Sequence, residues 1–184
     1  MKTKRKLEKE INIPEGIEIS SDGIIFKVKG PKGTIVKKIY HPEIDLNING
    51  NKINLKPKDK RTNKNYKTLI GTFRAHLLNM INGVQNGYEY KLKVCSGHFP
   101  MSVGVEGHKI LIKNFMGEKV PRKAGIIDGV SVQVSGDIIT VTGLDKEVVS
   151  QTAARIEQAT KITNRDRRVF QDGCYLISKA GKKI

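Results

Sequence analysis

The chain has 184 residues, with 34 Lys and Arg against 18 Asp and Glu, a formal charge of +16 and a pI near 9.9. A charge this one-sided costs self-repulsion and points to a polyanionic partner, and both halves share it: residues 1–67 carry 17 basic and 8 acidic side chains, residues 68–184 carry 17 and 10. There is no apolar run of membrane length, no apolar stretch behind the charged start Met1–Glu10, and only two cysteines. A membrane-spanning, exported or disulfide-stapled protein is therefore not expected, and the cytosol is the default.

In chain order, Pro14-Glu15-Gly16 closes a charged leader and opens a hairpin, in which Ile17-Glu18-Ile19 and Ile24–Lys29 flank the turn Ser20–Gly23. Thr34–Tyr40 reads as a further strand. Ile44–Ile48 and Lys52–Leu55 alternate around Asn49-Gly50-Asn51, a strong hairpin signal. Lys56–Arg61 is a basic connector into a helix expected from about Asn65 to Asn82, where Leu69, Ile70, Phe73, Leu77, Met80 and Ile81 fall on one face. Gly83 is expected to close that helix, leaving 84–87 as a linker.

The second half opens with the alternating strand Tyr88–Val94 and the turn-like Ser96–Pro100. Met101–Val105 and Lys109–Lys113 pair across Glu106-Gly107-His108. Asn114–Gly125 has little apolar periodicity, two glycines at 117 and 125 and three cations between them, as an ordered phosphate-facing loop would. Ser131–Ser135 and Ile138–Thr142 form a hairpin on the turn Gly136-Asp137. Asp145 then caps a helix whose buried stripe is Val148, Val149, Thr152, Ile156 and Ala159.

The two halves look related. The hairpin at 17–29, followed by Gly30-Pro31-Lys32, matches that at 131–142, followed by Gly143–Lys146, and each half contains one main helix. The expected class is α+β: two similar domains from an internal duplication, each an antiparallel sheet packed on one main helix. The boundaries are 1–83, a linker at 84–87, and 88–184 as the nucleic-acid-binding domain with a basic tail.

An enzyme is not expected. His41, His76, His98 and His108 stand in unrelated contexts, without the carboxylate or cysteine spacing of acid–base or triad chemistry. Cys95 and His98 could supply two metal ligands where a structural zinc needs four, and Gly30–Gly33 lacks the spacing of a phosphate loop. No cofactor, metal or small-molecule substrate is implied. The tail Lys161–Ile177 instead mixes cations with aromatics. Arg165, Arg167 and Arg168 are the better nucleic-acid candidates because a guanidinium grips phosphate with two bonds and also stacks. Phe170 and Tyr175 read as core anchors beside the terminal strand.

Asn114–Lys119, Val148–Ala154, Arg168–Gly173, His98-Phe99-Pro100 and Leu69–Met80, in this order and spacing, resemble the L-six family of large ribosomal subunit proteins. The likeness covers nearly all of the chain past the leader and is closest to the archaeal and eukaryotic branch, with Cys174 interrupting the Asp-Gly-Tyr-type ending. The resemblance implies a cytoplasmic component of the large subunit that binds 23S-type rRNA mainly through the second domain. It further implies neighbouring ribosomal proteins as partners, translation factors close by, and no membrane. The residues assigned to rRNA are Lys91, Lys93, His98, Lys113, Lys119, Arg122, Lys123, Arg165, Arg167 and Arg168. A free-standing RNA-binding regulator on the same fold is the alternative.

Overall fold

Alternating burial along short strands organises the whole chain in the computed structural model, which describes residues 8–58, 64–166 and 168–184. The contacts divide it into two units, Met1–Asn86 and Gly87–Ile184. Among the described residues no helix is long and apolar enough to cross a membrane.

In the first unit β1 (Lys9–Asn12), β2 (Glu18–Asp22), β3 (Ile25–Gly30), β4 (Gly33–Lys38), β5 (Ile44–Asn49) and β6 (Lys52–Pro57) precede the helix α1 (Lys64–Asn86). They form two antiparallel three-stranded sheets, in the orders β2-β3-β4 and β1-β6-β5. Period-two alternation sends Phe26 and Val28 of β3 and Ile53 and Leu55 of β6 inward, all fully buried, against Ile70, Leu77, Met80 and Ile81 of α1. Half-buried Leu69 and Phe73 flank the helical stripe.

Two expectations change here. Part of the charged leader is a strand, because Ile11 is buried opposite Ile53 when β1 pairs with β6. The helix does not stop at Gly83. Val84 is fully buried and continues the stripe three and four positions beyond Ile81 and Met80, so residues 84–86, expected to be linker, are helical. Lys32 N–H donates to Val84 O at 3.0 Å and the Lys32 ammonium donates to Asn86 O, while Gly87, at φ 71°, takes the left-handed residue past the end. The outer part of the Lys56–Arg61 connector, with residues 59–63, lies outside the described residues.

The second unit contains β7 (Tyr88–Cys95), β8 (Ser102–Glu106), β9 (Lys109–Lys113), a 3-10 turn (Phe115–Gly117), β10 (Arg122–Gly125), β11 (Val130–Ser135) and β12 (Ile138–Gly143). After these come α2 (Lys146–Ala159), β13 (Gly173–Lys179) and β14 (Lys182–Lys183). The sheets run β10-β9-β8 and β11-β12-β7-β13-β14. Leu92, Ile110, Ile112, Ile139 and Val141 enclose Val149, Ala153 and Ile156 of α2 in one core. The cap is as expected: the Asp145 carboxylate accepts the Glu147 N–H at 2.9 Å. Residues 122–125, expected within a loop, are a strand, because Ala124 is buried and pairs with Ile110.

The two units repeat one frame, but in a different alignment from the one the hairpin sequences suggest. The hairpin β11–β12 that feeds α2 has its counterpart in β5–β6, which feeds α1. Their registers coincide, Val130↔Gly143 matching Ile44↔Pro57, and Gly136 and Gly50 both turn at φ 57°. The early hairpin β2–β3 instead corresponds to β8–β9, each being two strands of a three-stranded sheet. Two hairpins with the same alternation cannot be ordered from sequence alone; strand pairing distinguishes them.

Candidate nucleic-acid interface

Three loops of the second unit meet at one place: residues 96–100 after β7, the turn 114–118 after β9, and residues 160–172 between α2 and β13. The turn is an unusual piece of backbone, with Asn114 at φ 58° and Met116 at φ 54°, non-glycine residues in the left-handed region. Such residues cost of order 1–3 kcal/mol each when strained and persist only where neighbours hold them. Here Asn114 Nδ2 donates to Pro100 O at 3.0 Å, and Gly117, at φ 79°, lies against Phe99 so closely that a Cβ would come within 3.2 Å of its ring.

The tail loop is tied to residues 96–100 by Asp172, a carboxylate with no exposed surface. Its Oδ1 accepts the Gly97 N–H and, at 3.1 Å, the His98 N–H, and its Oδ2 lies 3.4 Å from His98 Nδ1. This places the His98 ring 4.9 Å from that of Phe170, whose other neighbour is Arg165, with Cζ 4.9 Å from the ring centroid. Phe170 is thus both partly buried against the core, as expected, and part of the surface cluster. Asp166 shapes this loop, accepting the Arg168 N–H at 2.9 Å on Oδ1 and the Phe170 N–H at 3.0 Å on its carbonyl.

Arg122 departs from its expected role. Its Nε donates to Glu118 Oε2 at 2.8 Å and its Nη2 to Glu118 Oε1. Its Nη1 donates to Ala159 O at 2.9 Å and Lys161 O at 3.3 Å, and Cζ lies 4.2 Å above the Phe115 ring. Four of the five guanidinium N–H groups implied by that chemistry are therefore spent inside the fold, partly on the carbonyls that end α2, where a cation is favoured. Arg122 braces the turn against the helix and has little left for phosphate. The hydrogen bond from Arg122 also holds the Glu118 carboxyl below its ordinary range.

The other expected residues fall into separate places. Lys119 is exposed on the loop between the 3-10 turn and β10, beside Val120 at 76 % exposure, and Arg168 is exposed on the tail loop. Lys113 and Lys123 share the outer face of the β8–β9–β10 sheet, since Lys123 pairs with Leu111, two residues before Lys113. Lys91 and Lys93 lie on the outer face of the five-stranded sheet, opposite the buried Leu92 and Val94, and Lys91 pairs with Glu89 at 3.0 Å. Arg167 lies outside the described residues.

Sequence reasoning missed Asp172 and Glu118. Asp172 carries no local signal, as it finds its partners 74 and 75 positions away, whereas Glu118 stands only four residues before its partner Arg122. Among the described residues no three His, Cys, Asp or Glu side chains gather to hold a metal. Cys95 and Cys174 are both free, and burial pushes the Cys174 thiol up to about 11.

The described residues form a repeated α+β frame that presents cations on loops of the second unit. A family model for ribosomal protein L6 matches residues 13–87 and again 99–173, one match to each unit. Three archaeal proteins named large ribosomal subunit protein uL6 align over nearly the whole chain. That of Methanospirillum hungatei is 42 % identical over 174 residues, 95 % of this chain and 98 % of the relative. That of Methanosarcina mazei is 44 % identical over 176 residues (96 % and 99 %), and that of Methanobrevibacter smithii 46 % identical over 173 (94 % and 96 %). The chain belongs to the ribosomal protein L6 family, and its two units are two copies of the family's domain.

Proposed function

We propose that this chain is a structural component of the cytoplasmic large ribosomal subunit that binds 23S-type rRNA, mainly through its second unit, near the region where translation factors bind. The observation that carries this reading is the 42–46 % identity, over 94–96 % of the chain, to proteins named large ribosomal subunit protein uL6. The charge of +16 supports it, since a protein set among rRNA segments neutralises phosphates over a wide area. The proposed contacts are His98, Lys113, Lys119, Lys123, Arg165, Arg167 and Arg168, with Lys91 and Lys93 on a separate sheet face and Arg122 bracing the turn behind them. Neighbouring ribosomal proteins are the remaining partners.

Sedimentation of a cell extract tests the assignment: the chain should travel with the large subunit, and a free pool that binds RNA with sequence preference would favour a regulator instead. Binding to transcribed 23S-type rRNA tests the chemistry. If about five phosphates are neutralised, log affinity should fall with log salt at a slope of about −4. A flat response would assign the positive charge to solubility alone.

A further inference from the structure

Two arginines of the second unit sit over phenylalanine rings, and their surroundings are opposite. Arg122, over Phe115, has its N–H groups engaged by Glu118 and the end of α2. Arg165, over Phe170, is exposed, and among the described residues the ring is its contact, with no hydrogen bond or ion pair to its guanidinium. An aromatic ring under a guanidinium restrains its position while leaving the N–H edges open, the arrangement that suits a bidentate phosphate contact.

Phe170 is in turn restrained. Its inner side packs on the core, the His98 ring stands 4.9 Å away, and His98 is set by the buried Asp172 through its own N–H at 3.1 Å and its Nδ1 at 3.4 Å. The fit at Asp172 is close: a Cβ on Gly97 would come within 3.3 Å of Oδ1. A carboxylate stripped of water is costly unless it is well bonded, and this one is spent on joining the 96–100 and 160–172 loops just past the Gly173–Cys95 pair that ends the β7–β13 ladder.

We propose that Asp172 is a positioning residue: through His98 and Phe170 it holds Arg165 as a preformed anchor for an RNA phosphodiester. This rests on the rRNA-binding reading and goes beyond it, because it assigns to a buried acid an effect on a phosphate it does not touch. A preformed anchor gives up less side-chain freedom on binding than an arginine on a loose loop.

The test uses the full chain and transcribed 23S-type rRNA, with affinity measured across a salt series and thermal unfolding as the check on folding. Arg165→Gln should weaken binding about fivefold to tenfold and reduce the salt slope by about one. Asp172→Asn and Phe170→Leu remove no cation, yet each should weaken binding at least about threefold and lower the slope in the same way, because the anchored contact is what they disturb. Placed on the Arg165→Gln background, each should add less than about a twofold loss. Multiplicative losses, or an unchanged slope in a folded Phe170→Leu variant, would overturn the proposal, and Phe170→Leu alone decides if Asp172→Asn does not fold. Failure of the unaltered chain to bind the rRNA would instead refute the rRNA reading itself.

Discussion

Replacing Arg122 with Gln separates a phosphate ligand from an internal brace. The side chain is 29 % exposed and its partner Glu118 is 40 % exposed, so the ion pair, screened by water, is worth about 1 kcal/mol at most. Its bonds to Ala159 O and Lys161 O at the end of α2 add about 1 kcal/mol, and the contact with the Phe115 ring about 0.5–1 kcal/mol. The contributions share one side chain and are not strictly additive, which puts the loss at about 2–3 kcal/mol. In a domain of this size that lowers the transition of the second unit by about 10 °C or more in scanning calorimetry. Arg122→Lys should recover only part of it, since an ammonium keeps the charge but cannot reach both Glu118 and the helix end. At a temperature where both variants are folded, rRNA affinity should be nearly that of the unaltered chain. A shift below about 3 °C, joined to a salt slope smaller by about one, would refute the bracing role and return Arg122 to the phosphate contacts that its sequence context suggested.

Three further outcomes follow from the geometry. The Glu118 carboxyl, held low by Arg122, contributes stability that is present above its ordinary value of 4.5 and is lost as pH falls through its lowered pKa; Glu118→Gln should flatten the acid side of a Tm–pH profile, and an unchanged profile would contradict the pairing. The buried Cys174 thiol, raised from 9.0 to about 11, acts on the alkaline side: its contribution is complete below pH 9 and is lost as pH rises towards 11, by about 3 kcal/mol at most, so that thiol titration near pH 8 should label Cys95 in the native chain and Cys174 only after unfolding. Gly143→Ala should destabilise the second unit by about 1–3 kcal/mol, because a Cβ there would stand 2.6 Å from Val149 Cγ2 and 3.1 Å from Gly129 O, and a urea midpoint that does not move would show that α2 can shift to admit it.

What could be read from the sequence was what neighbouring residues decide between themselves. The β11–β12 hairpin and the Asp145 cap depend on spacings of two to four residues and stand where they were expected. Of the expected stripe of α2, Val149, Thr152 and Ile156 are buried, joined by Ala153, while Val148 and Ala159 are half-buried. The end of α1 was misread because glycine is both a helix stop and a tolerated interior residue; the buried Val84 and the distant Lys32 decide which. The strand β10 has four residues and no pattern of its own, so only its partner β9 makes it a strand. At the candidate interface, the sequence signal was arginine in an irregular cationic segment. It could not tell Arg122 from Arg165, because Ala159, which occupies Arg122, is 37 positions away and the aspartate behind His98 is twice as far.

The duplicated frame itself also explains why the two units differ. In the first, β1 is an edge strand, in the order β1-β6-β5, and the unit ends with its helix. In the second, the strand in the equivalent place, β7, is central, because the chain returns after α2 and adds β13 and β14 beside it. To make that return it must cross from the end of α2 to the start of β13, and residues 160–172 are that crossing. They contain Arg165, Arg168, Phe170 and Asp172. The pairing of Gly173 with Cys95 fixes where the crossing ends, next to the first residues of the 96–100 loop, so Asp172 reaches Gly97 and His98 as a consequence of strand register. The repeated hairpin and helix supply a rigid support common to both units. The loop cluster proposed to meet RNA exists only where a further strand forces the chain back across it.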